Sequence, residues 1–461
     1  MGNCLSCKAA REEEEEPNPA YQSEPLLIPR EIVVPADAKD EGSKYWKQQV
    51  VSPSSHDDAG GDQAPAAAGD NIHLTLEHVY GYSGHDTRQS AHFTPSGEVV
   101  FVAATLGVVM DPATGRQRFY RGHDDDVTCV AVDPKHGLVA TGQGHRLGRD
   151  STPVHLWDST SMERKSLLGG HARGVGALAF SESGATLVSV GLDADHRVIV
   201  YRITRPPRTP ASRAPASRLS APSAKGLSVK RMAEARGGPK KVFSAAFVLS
   251  DATFATCSQA GMCVWQGSRP PHKSGITARP VIFGAAGAEA TILVAAGHSG
   301  GCTLAGTSHG YIYRFAPNRK LDRGIWAHSG AVHALATSAT FVVSGGKDGC
   351  VNILDGDLNQ CKAFSLGVCV RSVAISGDKV LAGTQGGAIY MFFTRGTLSE
   401  VVTLVDGHGP LHEIKARYDG QMWGLAAHPA GRRLATSDDS GVVKFWDPEA
   451  RRCLDPEIKE D

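Results

Sequence analysis

The chain has 461 residues, ample for a large core, and its 48 basic side chains balance 48 acidic ones, so no overall field marks it for nucleic acid or another polyanion. It contains no secretory apolar segment and no apolar run of transmembrane length. Eight of its ten cysteines are scattered, mostly in apolar strand-like context, which reads as reduced, buried thiols of an intracellular protein rather than a disulfide framework.

The chain opens Met1-Gly2-Asn3-Cys4-Leu5-Ser6-Cys7-Lys8. Gly2, exposed once Met1 is removed, with Ser6 four positions on, fits N-myristoylation. Cys4 and Cys7 would then lie at the bilayer and suit S-palmitoylation. One myristoyl chain binds only marginally, so a second signal is needed. The acidic run Glu12 to Glu16 would be repelled by anionic lipid, which makes palmitate that signal. The competing reading of Cys4 and Cys7 is a metal or redox pair, but no nearby His or Cys completes a zinc site. Residues 1–70, rich in Glu, Pro, Ala, Ser and Asp without sustained periodicity, are expected to be a disordered tether.

From residue 71 short β-branched runs alternate with Gly, Asp, Asn and Ser turns. The clearest unit runs from Gly122-His123 through Val127–Val132 and Leu138–Thr141 to Leu156-Trp157-Asp158: a Gly-His opening, three strands and a Trp-Asp close. Further units open at His171 and near Val242, Val281, His328 and Ser372. The last closes on Phe445-Trp446-Asp447. Seven such units, with 92–120 as another, predict an all-β WD40-type β-propeller with eight blades favoured and seven the alternative. A blade is a small sheet that cannot cover both faces alone, and stacking around an axis covers them. His123, Trp157, Asp158, His171, His328, Ser344, Asp348, Trp446 and Asp447 are assigned to hydrogen bonding within blades. His328, Ser344 and Asp348 could alternatively form a catalytic triad, but the same types recur with the repeat, and the repeat explains them. The final repeat lacks a convincing fourth strand, since 451–456 ends in Pro. The alternating stretch Ile72 to Val79 is expected to fill that place and close the ring.

Before the first full repeat stands Leu76-Glu77-His78-Val79-Tyr80-Gly81-Tyr82-Ser83-Gly84-His85-Asp86-Thr87-Arg88, followed by Gly107-Val108-Val109-Met110 and Gln117 to Val127. This run resembles the HELP motif of the echinoderm microtubule-associated protein-like family, and Ala140-Thr141-Gly142-Gln143 is similar to that family's first repeat. The resemblance implies binding to tubulin or microtubules through propeller surfaces. Family members typically carry two joined propellers, often behind a trimerising coiled coil. This chain shows one propeller's worth of repeats and no heptads in its first 70 residues. The organisation expected is a tether over 1–70, the HELP motif and first blade over 71–123, repeats over 124–202, a basic insert over 203–241 and the remaining repeats over 242–461.

The insert is rich in Pro, Ala, Ser, Arg and Lys with one acidic residue, Glu234, and is expected to be mostly a mobile loop. Arg205, Arg208, Arg213, Arg218, Lys225, Lys230, Arg231, Arg236, Lys240 and Lys241 offer attraction to an acidic tubulin tail or anionic lipid, or are a plain solvated insertion. The lack of interleaved aromatics argues against single-stranded nucleic acid. Ser212, Ser217, Ser220, Ser223 and Ser228 would cut that charge if phosphorylated. No Walker loop and no His-Glu-x-x-His occurs, Gly142, Gly144 and Gly148 lack Rossmann spacing, and no cofactor or metal is implied. The function expected is a non-catalytic, membrane-anchored scaffold for microtubules or proteins on them, at the cell cortex, a cilium or a flagellum. The alternative is a membrane-tethered adaptor for a non-cytoskeletal signalling or trafficking complex.

Overall fold

The computed structural model describes residues 76–144, 151–205, 226–267, 275–284, 291–394, 401–405, 422–429, 433–438 and 442–459. These form eight four-stranded antiparallel sheets with sequential strands, over 91–120, 127–171, 175–235, 242–280, 292–326, 332–365, 370–405 and 422–459. The all-β propeller and the eight favoured units are thus observed.

Inner strands are buried on both faces and outer strands on one, as stacked sheets require. Thr303–Thr307 is buried at every position, whereas Leu321–Trp326, on the outer side of the same sheet, alternates. The hairpin turns carry the residues their geometry needs. Gly349, in Lys347-Asp348-Gly349, sits at φ 76, where a Cβ would lie 2.8 Å from the Val368 nitrogen.

The first strands of the first seven sheets are β1 (Ala91–Phe93), β5 (Val127–Val132), β9 (Val175–Phe180), β13 (Val242–Ser250), β17 (Ile292–Gly297), β21 (Val332–Thr337) and β25 (Val370–Ser376). Each lies beside the next, and β25 returns to lie beside β1. Seven apolar clusters fill the seven junctions of this circle. Three junctions use one device: a glycine on the second strand of one sheet receives the valine that begins the next. A Cβ on Gly142, Gly306 or Gly345 would lie 2.5, 2.7 and 2.5 Å from side-chain atoms of Val175, Val332 and Val370. The eighth sheet meets this circle at Glu77 and Tyr80. Eight sheets form, and the first strands of seven of them lie side by side around the circle.

Two expectations are corrected. The fourth strand of the eighth sheet is Arg452–Lys459, not 72–79; Pro456 is tolerated because this strand is an edge. Residues 76–79 form no strand. A stretch of the insert expected as loop is a strand: β12 (Ser228–Ala235) pairs with β11 (Val198–Thr204) as the outer strand of the third sheet, while 206–225 lie outside the described residues. The eight described cysteines are free thiols, but only Cys129 and Cys257 are fully buried; Cys361 is exposed.

Candidate interaction surfaces and blade networks

The segment 76–90 straps the ring where it closes. Tyr82, 7 % exposed, occupies at the seventh-to-first junction the slot that valine fills elsewhere: its Cζ lies 2.8 Å from where a Gly383 Cβ would stand. The Tyr82 N–H donates to the Gly387 carbonyl (3.1 Å) and the Ser83 N–H to the Val102 carbonyl (2.8 Å), so consecutive residues hold the seventh and first sheets. The Ala91 N–H donates to Ser372 Oγ at 3.0 Å, and the Val373 N–H to Gln89 Oε1 at 3.0 Å. At the outer end the Gln117 side chain accepts from the Val79 N–H at 2.8 Å and donates to its carbonyl at 3.1 Å. The eighth sheet meets the same strap: Tyr80 and Trp446 have ring centroids 5.0 Å apart, and Arg451 pairs with Glu77 at 2.7 Å.

The repeat residues sit within their blades. His123 Nε2 lies 2.6 Å from Thr141 Oγ1, to which Trp157 Nε1 also donates at 3.0 Å; Nδ1 lies 2.7 Å from Gln143 Oε1. His171 Nε2 is 2.7 Å from Ser189 Oγ. Trp446 Nε1 donates to Thr436 Oγ1 at 2.6 Å. Asp158 and Asp447 cap turns: each accepts backbone N–H bonds from the residues two and three positions on. His328 stands 2.8 Å from Ser344 Oγ and 3.0 Å from Asp348 Oδ1. Burial holds the His328 imidazole below its ordinary pKa, against the raising effect of Asp348. Burial pushes Asp348 up, but the Cys350 N–H and His328 outweigh it and hold it low. Ser344 has no exposed surface, so a substrate carbonyl has no route to its Oγ. The three side chains hold a blade together.

The predicted basic residues are not one patch. Gly2, Cys4, Cys7, Arg208, Arg213, Arg218 and Lys225 lie outside the described residues, with Ser212, Ser217, Ser220 and Ser223. Arg205 donates to the Gly184 carbonyl at 2.8 Å and pairs with Asp133, whose side chain is fully buried. Lys230 and Arg231 stand on β12. Arg231 pairs with Glu234, which also binds Arg197 at 2.9 Å, and Arg236 lies 3.4 Å from Asp195. Lys240 and Lys241 are exposed before β13.

Two features had no clear signal in the sequence. Trp326 is 64 % exposed and pairs across strands with Tyr311, itself 40 % exposed and stacked on Tyr313 at 5.9 Å, an aromatic patch on the rim of the fifth sheet. Arg88 and His333 line the axial channel, and Arg371 donates to the strap that carries Arg88. Among the described residues no group of three or more His, Cys, Asp or Glu could hold a metal, and no helix is long and apolar enough to cross a membrane. Burial pushes the Cys129 and Cys257 thiols up to about 12, which leaves them unreactive.

Comparison with known proteins agrees with this architecture. The profile of the echinoderm microtubule-associated protein first β-propeller matches residues 116–392, that of the HELP motif residues 71–108 and that of the WD domain G-beta repeat residues 409–447. Echinoderm microtubule-associated protein-like 4 of Xenopus laevis is 29 % identical over 81 % of this chain and 39 % of its own length. Echinoderm microtubule-associated protein-like 2 of Homo sapiens is 28 % identical over 84 % of the chain and 56 % of its own length. The ciliary WD repeat-containing protein ctxp80 of Euplotoides octocarinatus is 26 % identical over 88 % of the chain and 53 % of its own length. The chain thus spans about half the length of these relatives. With a HELP strap closing a circle of sheets that the family's own first-propeller profile matches through 392, the chain belongs to the echinoderm microtubule-associated protein-like family of WD-repeat proteins.

Proposed function

We propose that the protein is a non-catalytic scaffold that binds microtubules, or proteins on them, through its propeller, with acyl chains on Gly2 and on Cys4 or Cys7 holding it to the cytoplasmic face of a membrane. The observation that carries the microtubule part is the family's first-propeller match, which runs across the closed circle. Relatives named as microtubule-associated and as ciliary support a cytoskeletal or ciliary setting. The anchor rests on the N-terminal sequence and on the need for two lipid signals.

Co-sedimentation of the full chain with polymerised tubulin tests the first part. Pelleting that weakens with salt is the expected result; none at low salt moves the function to the non-cytoskeletal adaptor. Labelling in cells with alkyne analogues of myristate and palmitate tests the anchor: Gly2→Ala should abolish both labels and release the protein from membranes. Unchanged labelling would refute it.

A further inference from the structure

The channel along the axis of the seven sheets encloses a cavity of about 290 Å³, lined at one end by Arg88, Gln89, Phe243 and His333. Arg88 and His333 line it, and Arg371 acts electrostatically on both. Arg88 ends the HELP strap, and its guanidinium carbon lies 5.1 Å from the centre of the Phe243 ring, on the fourth sheet. Arg371 begins the seventh sheet and donates through Nη2 to the His85 carbonyl at 2.7 Å. His333 begins the sixth sheet and is 8 % exposed. The strap is pinned among them, since Gln89 donates to the Leu335 carbonyl at 2.7 Å and its N–H to the Arg371 carbonyl at 3.1 Å.

Each of these three side chains has a buried nitrogen without a hydrogen-bond partner: Arg88 Nη1, Arg371 Nε and His333 Nδ1. A buried polar nitrogen without a partner is costly, more so on a charged group, so three on side chains that act on one another need a reason. The surrounding charge makes the cost greater. Arg88, Arg371, Lys347 and His328 all act on His333 in the same sense, and with burial they hold its imidazole down at about 3. Burial and Arg371 hold Arg88 down at about 10. The nearby acid, Asp348, is bonded to His328 and to the Ser329 and Cys350 N–H groups, and Cys369 carries no charge while burial keeps its thiol protonated.

We propose that this end of the axial channel is an oxyanion-binding site, in which Arg88 and Arg371 hold one phosphate or carboxylate group and His333 completes its hydrogen bonding. Two guanidinium forks match the oxygens of either group, and a partly buried, positively charged recess magnifies the attraction. The site is independent of tubulin binding: it selects an anionic group and does not depend on which partner, if any, carries it. The group has two sources, a free phosphorylated small molecule or an acidic peptide side chain reaching in along the axis.

The test uses the full chain with histidine ring carbons labelled, inorganic phosphate as one probe and a glutamate-rich peptide as the other, each at constant ionic strength in chloride. The His333 ring resonance should shift saturably and the melting temperature should rise with at least one probe. Phosphate alone acting identifies a small-molecule site, the peptide alone identifies a carboxylate reaching in from a protein, and either supports the site. Arg88→Gln should weaken the effective probe at least about tenfold, the loss of one charged hydrogen-bonding partner. Because the His333 shift is read on the unaltered chain, it decides the matter even if Arg88→Gln unfolds. No shift of His333 with either probe overturns the proposal, as does a shift of the same size in a folded Arg88→Gln chain.

Discussion

Tyr82 is the sharpest point at which the strap can be tested. Its ring fills the seventh-to-first junction, packed in a cluster with Ala91, Phe101, Leu381 and Ile389. Its hydroxyl is buried without a partner, and burial drives the phenol pKa far above its ordinary value. Ring and hydroxyl therefore have opposite effects on stability. Tyr82→Ala removes the ring and leaves a cavity against Gly383, at a cost of about 3–5 kcal/mol, the range for buried aromatics. Tyr82→Phe keeps the ring and removes only an unsatisfied polar atom, so it should be neutral or stabilise by up to about 1–3 kcal/mol. The backbone bond from the Tyr82 N–H to Gly387 is kept in both. Urea denaturation followed by tryptophan fluorescence measures the pair. Tyr82→Ala should lower the midpoint sharply and Tyr82→Phe should not. An unchanged midpoint in the alanine variant, or equal losses in both, would refute the closing role of the ring.

Other outcomes follow from the same geometry. A Cβ on Gly107 would lie 2.7 Å from Cζ2 of the fully buried Trp157, so Gly107→Ala should cost about 1–3 kcal/mol by overpacking, read as a lowered melting temperature. Burial holds His171 at about 4, below its ordinary 6.5, and depresses His328 as well. The unfolded chain takes up these protons first, so stability is full above about pH 6.5 and falls as pH drops below it, for His171 by up to about 1.4 kcal/mol per unit down to about pH 4; a midpoint constant over that window would contradict the buried His171 network. Trp326→Ser, at 64 % exposure, should leave the urea midpoint within about 0.5 kcal/mol, and any loss of microtubule pelleting in that variant would assign the rim patch to binding. Neutralising Lys240 and Lys241 together should weaken pelleting without loss of stability, whereas Arg205→Gln should lower stability by removing the ion pair of the buried Asp133, which keeps only His136 and two backbone N–H groups.

The sheets were legible because their signals are local. Hairpin turns and alternating β-branched runs mark each strand pair, and His123, His171 and His328 recur at the same place in their repeats, each beside a Thr or Ser of the second strand. What was not legible depends on context. β12 reads SVKRMAEA, a composition that fits a solvated loop; its partner strand and its half-buried Val229, Met232 and Ala233 make it a strand. Arg452–Lys459 was hidden by Pro456, which excludes a central strand but not an edge. The charge at the channel was invisible for a different reason: Arg88, His333 and Arg371 come from three distant parts of the chain, each unremarkable alone. Only the circle brings them together, and only burial strands their nitrogens.

The same distinction bears on the basic insert. Read along the chain, its cations form one patch; folded, those among the described residues divide by what neutralises them. Arg205 answers a buried carboxylate and ties the second sheet to the third. Arg231 and Arg236 have acidic neighbours in Glu234 and Asp195. Lys230 lies on an outer strand, where lysine also deters edge-to-edge pairing, so its charge has a use without any partner. Steering of an acidic surface depends on charge left over after such pairing, not on the count of basic residues. Among the described residues that leaves Lys240 and Lys241, exposed beside the start of the fourth sheet and making no ion pair. If the insert binds anything through its described part, that pair is where the attraction must originate, and salt dependence should reside in those two lysines rather than in the arginines that hold the blade.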